Sequence, residues 1–204
     1  MLKKFTAPYI GVFKVIRLYW SIYGGWRALV LSPYFHFSII LTVLMSHFWN
    51  NEAWWEVAIS VLPSIIGFAL GGYAIWLGFG DEKFRHLITE NNDNNNHSPY
   101  LEVSATFAHF IMVQLLALFA AIIAKAMNFP ISKIQWLDNL FIKLNVSQTL
   151  VHEDIAPILY GLSFLLFIYA IMTAVAATFA VFRVATWFDK YRNTLAKENN
   201  NKQD

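Results

Sequence analysis

Three polar side chains, Thr106, His109 and Gln114, stand inside an otherwise apolar run, Val103 to Ala124, that carries no Asp, Glu, Lys or Arg. Polar and ionisable groups within a membrane are expensive and often functional, so the three define a candidate polar path for a proton, an ion or a small solute. His109 lies roughly 9 Å beyond Val103 at 1.5 Å per residue, and a neutral imidazole bonded to a neighbouring helix accounts for it equally well. Gln114 lies deeper, where linking helices is the default role of an amide. His152, Glu153 and Asp154 are adjacent, and adjacent residues of a helix do not converge on one ion. Capping and solvation therefore explain that cluster better than a metal does. Asp81, Glu82, Lys83 and Arg85 form a candidate partner patch, or alternatively a helix cap with local charge pairs. Glu56 stands beside Trp54 and Trp55 at the end of an apolar run. Paired intramembrane carboxylates, G-x-S-x-G, H-E-x-x-H and a P-loop are all missing from the sequence, so nothing supplies a nucleophile beside a base. The expectation is a non-enzymatic chain with no catalytic residue, no metal and no cofactor.

The elements that carry these residues are set by composition. Of 204 residues, 57% are hydrophobic, 17% aromatic and 14% charged, against about a quarter charged in soluble domains. The apolar residues fall in blocks long enough to cross a bilayer. A net charge of +2 gives no support to nucleic-acid binding. Without cysteine there is no disulfide framework and no thiolate site. The start MLKKFTAPYIGVF is basic, but Lys14 and Arg17 interrupt the apolar stretch, which argues against a cleaved signal peptide.

Taken in order, residues 1–32 mix Lys3, Lys4, Lys14, Arg17 and Arg27 with Tyr19, Trp20, Tyr23 and Trp26. Cations interleaved with Trp and Tyr suit the headgroup layer, which predicts an interfacial helix over 5–30, bent at Gly24-Gly25. Residues 33–80 read as a first transmembrane hairpin. Ser32-Pro33 opens a helix over roughly 33–49 with a small polar stripe of Ser38, Thr42 and Ser46, and a second helix covers roughly 54–79 with Pro63 as a kink. Gly80 suits a helix end and Asp81 the next cap. Residues 81–102 form a cytoplasmic loop containing an Asn-rich linker. A third transmembrane helix occupies 103–127, and 128–154 is an external segment with an amphipathic helix over 131–145. A fourth transmembrane helix, opened by Asp154 and Pro157, lies within 155–188, and 189–204 is a cytoplasmic tail whose end, TLAKENNNKQD, is expected to be disordered. Twelve Lys and Arg on one side against three on the other place both termini in the cytoplasm. The fold class expected is all-α: a polytopic membrane protein with four transmembrane helices in an antiparallel bundle and amphipathic interfacial helices.

The second helix carries the sharpest pattern. Ser60, Ser64, Gly67, Gly71, Ala74 and Gly78 recur at alternating steps of four and three, within roughly 80° of one face at 100° per residue. In water such glycines only weaken a helix, whereas in lipid they let another helix approach closely. This helix is therefore expected to be the packing centre, its stripe facing the third or fourth helix or a second copy.

YGGWRALVLSPY followed by LPSIIGFALGGYAIWLGFGDEKF resembles uncharacterised small bacterial four-helix inner-membrane proteins over about the first half of the chain. The resemblance implies a bacterial inner membrane and offers no activity. The function expected is helix–helix association, as a membrane subunit of a partner system or an oligomerising membrane effector. Its partners are membrane lipid and either a second copy or a membrane or cytoplasmic protein. The alternative is a small channel or transporter along the third helix.

Overall fold

A computed structural model describes residues 2–51, 53–90, 97–128, 143 and 155–201, and every element among them is an α-helix. The elements are α1 (Leu2–Tyr23), α2 (Gly25–Val30), α3 (Pro33–Leu44), α4 (Ser46–Asn51), α5 (Trp54–Gly78), α6 (Glu82–Thr89), α7 (Pro99–Met127) and α8 (Ala156–Asn201). The expected amphipathic helix over 131–145, the Asn-rich stretch 91–96 and the His152-Glu153-Asp154 cluster lie outside the described residues.

Three of the helices, α5, α7 and α8, are long and apolar enough to cross a membrane. The first expected span is instead divided into α3 and α4. At 12 residues α3 covers about 18 Å, short of a hydrocarbon layer of about 30 Å. The cause is local. The Trp49 indole donates to the Thr42 carbonyl at 2.8 Å, the acceptor that a continuous helix would give to the amide of Ser46. Phe48 and Trp49 then donate their amides to the Met45 carbonyl. Other boundaries follow the residues expected to set them. Gly24 and Gly25 separate α1 from α2 with φ of +101° and +61°, values that L side chains rarely adopt. Helix α3 begins at Pro33, and the Asp81 carboxylate caps α6 by accepting from the Phe84 amide at 2.8 Å.

The chain divides into two compact units, to both of which α5, α7 and α8 contribute. The first comprises residues 1–32, 68–111 and 174–204. In it the Trp76 indole donates to Ser104 Oγ at 3.1 Å and its ring stacks on Tyr100, while Tyr73 stacks on Phe107. The second comprises residues 33–67 and 112–173. Its interior holds Trp54, packed edge-on to Phe164 and tilted against Phe167, with Phe48 against Phe164 and Phe35 against Tyr169. Buried alanines accompany these rings, Ala117, Ala121 and Ala170 being completely enclosed. Small residues on α7 and α8 thus provide room for the large ones.

Residues 194–201 correct the expectation of a disordered tail, since α8 continues through them. The reason is a stripe the charges conceal. Val184, Phe188, Tyr191 and Leu195 recur at steps of four, three and four, and Phe188 and Tyr191 pack on Phe84 of α6.

Candidate functional site

The face of α5 that meets neighbours carries Trp54, Ala58, Leu62, Ile66, Ala69 and Trp76, all buried. At 100° per residue this face is centred about 180° from the small-residue stripe. Ser60, Ser64, Gly67, Gly71, Ala74 and Gly78 are all exposed. A Cβ placed on Gly67, Gly71 or Gly78 would meet nothing within 4 Å. The three glycines therefore face open space among the described residues, and the expected packing of the stripe on the third or fourth helix of the same chain is replaced by packing of the opposite face. Packing explains the choice, because an enclosed aromatic ring makes far more van der Waals contact with a neighbouring helix than a glycine can.

The three polar residues of α7 are held by separate partners. Thr106 donates to the Glu102 carbonyl of its own helix at 2.8 Å, the usual way a hydroxyl is satisfied inside a helix. His109 is buried against aromatic rings of α1: its ring stacks on Tyr23 with centroids 3.8 Å apart and planes 18° from parallel, and Trp20 lies at 6.1 Å. Trp20 in turn contacts Tyr23 and Trp26. In the second unit Gln114 and Thr173 are both fully enclosed. The amide nitrogen of Gln114 donates to Thr173 Oγ1 at 3.4 Å, and that hydroxyl donates to the Ala170 carbonyl at 2.7 Å. Gln114 Oε1 has no hydrogen-bond partner among the described residues. Thr106 is thus satisfied within its own helix, whereas His109 and Gln114 touch side chains of other helices.

The four residues of the candidate partner patch separate by role. The Asp81 carboxylate accepts from the Phe84 amide and from the Tyr191 hydroxyl, the latter at 3.3 Å. Glu82, Lys83 and Arg85 are exposed around it. The aromatic cluster of Phe79, Phe84, Phe188 and Tyr191 fixes α6 on α8. That cluster was missed in the sequence, although the four-three-four spacing beyond Arg183 was there to be read. Glu56 forms an ion pair with Lys125 at 2.9 Å, both side chains about half exposed. An apolar cavity of about 120 Å³ in the first unit is bounded by Gly72, Trp76, Phe79, Phe107, Val181 and Val184. Its walls offer hydrocarbon contact and no reacting group. Compared with family models, curated proteins and solved structures, the chain matches none of them.

Proposed function

We propose that this chain is a non-enzymatic, multi-pass protein of a bacterial inner membrane that works by helix–helix association. Its α5 stripe meets either a second copy or the membrane helix of a partner system. One observation carries the reading: six small residues in register are all exposed, three of them glycines with open space in front of them. Lipid gains nothing from such a stripe, whereas a second helix gains close van der Waals contact along it. On this reading α3 and α4 together make a fourth, broken crossing, since residues 33–51 cover about 28 Å at 1.5 Å per residue. The pairs Tyr73–Phe107 and Trp76–Tyr100 support an antiparallel course of α5 and α7. The excess of Lys and Arg in the segments 1–32, 81–102 and 183–204 supports placing both termini in the cytoplasm.

The chain has no cysteine, so single replacements report their own contacts. Gly71→Cys and Gly67→Cys should cross-link to a second copy or a partner in native membranes, and Ala69→Cys, on the buried face, should not. Gly71→Ile should abolish that association while the chain still inserts. Cross-linking at all three positions alike, or at none with Gly71→Ile silent, sinks the proposal. A conductance altered by His109→Ala or Gln114→Ala would put a channel in its place.

A further inference from the structure

Helix α1 belongs to the first unit. Its last turn docks through Tyr23 and Trp20 on His109, and the left-handed Gly24-Gly25 pair then turns the chain into α2. Over residues 9–18 every side chain is exposed. Tyr9 and Phe13 are 68% and 69% accessible, and Val12 and Ile16 stand open beside them. At 100° per residue these four and the likewise exposed Val15 fall within about 160° of one another, while Lys14 and Arg17 lie about 60° apart, centred roughly 140° away, with Leu18 beside Lys14. Ile10 sits between the cations, where lysine and arginine stems can cover it. The charge is unopposed: residues 1–51 contain five Lys and Arg and no acidic residue, the first being Glu52.

We infer that α1 lies in the plane of the membrane and reads anionic phospholipid, with its Phe13 side in the acyl boundary and Lys14 and Arg17 on the headgroups. Two observations select this occupant over a protein. The complementary charge is a sheet of anions rather than a single acidic group, because four cations spread along one helix have no carboxylate near them in sequence. The depth also agrees. The docking point His109 is roughly 9 Å into the apolar run that begins at Val103, and an interfacial helix sinks its apolar face about 5–10 Å below the headgroups. The inference rests on the membrane reading above and is independent of association through α5.

The test uses the full chain in nanodiscs of neutral phosphatidylcholine, or with one third replaced by phosphatidylglycerol. A nitroxide is attached at Gly11→Cys or at Phe13→Cys, which lie about 160° apart on α1. In anionic discs the Phe13→Cys label should collide with dissolved oxygen and the Gly11→Cys label with a water-soluble nickel chelate. The preference for anionic over neutral discs, read as the ratio of embedded to water-exposed Phe13→Cys label, should fall about thirtyfold in K14Q/R17Q, and 1 M salt should weaken it likewise. Labels that respond identically at both positions, depths that ignore headgroup charge, or spin–spin broadening that reports a second copy would each overturn the inference. Entry of the chain into the disc separates the two readings: a chain that stays outside overturns the membrane reading together with this one.

Discussion

Gly71 and Gly80 show how one residue type serves opposite ends. Gly80 has φ of +84°, and a Cβ there would lie 2.5 Å from Phe84 Cδ1. Gly80→Ala should therefore cost about 1–3 kcal/mol, through a left-handed backbone and a displaced Phe84, measured as a lowered midpoint of thermal unfolding in detergent. Gly71 has helical backbone and open space, so Gly71→Ala should leave the isolated chain unharmed or gain up to about 1 kcal/mol of helix propensity. Residue-scale features of this kind were largely legible in the sequence. The Asp81 cap, the Gly80 stop and the Ser32-Pro33 start depend on neighbours a few positions away. The surroundings of His109 were not, because Trp20 and Tyr23 reach it from far earlier in the chain, and no local pattern announces a stack between distant rings.

At the scale of elements, the periodicity of α5 revealed two faces without revealing which one turns inward. The small-residue face suggested itself as the packing surface, yet the rings of Trp54 and Trp76 decide the matter through the van der Waals contact they make. Charge misled in the same way at the end of α8, where Asp189, Lys190 and Arg192 hide a stripe that docks on α6. Phe84, 1% exposed, is the centre of that docking. Phe84→Ala should cost about 3–5 kcal/mol of local stability, read as accelerated hydrogen exchange confined to 82–89 and 185–201, with the transmembrane stretch of α7 unaffected. Equal acceleration throughout would show that α6 is part of the main cooperative unit. For α1 the magnitudes favour a surface position: Lys14 and Arg17 near the middle of a span would each cost about 2.5–3.5 kcal/mol, whereas at an anionic surface each gains about 1 kcal/mol.

At the scale of the whole molecule, an ion pair among the described residues joins distant segments. Lys125 and Glu56 pair across 69 positions of sequence, with both side chains about half exposed. Solvent-accessible pairs contribute little, so Glu56→Gln should lower stability by less than about 1 kcal/mol, and 1 M salt should erase the difference in thermal midpoint. Hydrophobic packing holds the molecule together, and that property of the fold was evident from composition. Helix α8 carries a further consequence. Its 46 residues are one helix, and its first formal charge, Arg183, precedes Trp187 by about one turn. On the proposed membrane reading, this helix cannot shorten when lipids with shorter tails surround it. It must lean or slide, so in a variant that keeps Trp187 alone of the eight tryptophans the emission colour becomes a gauge of membrane thickness.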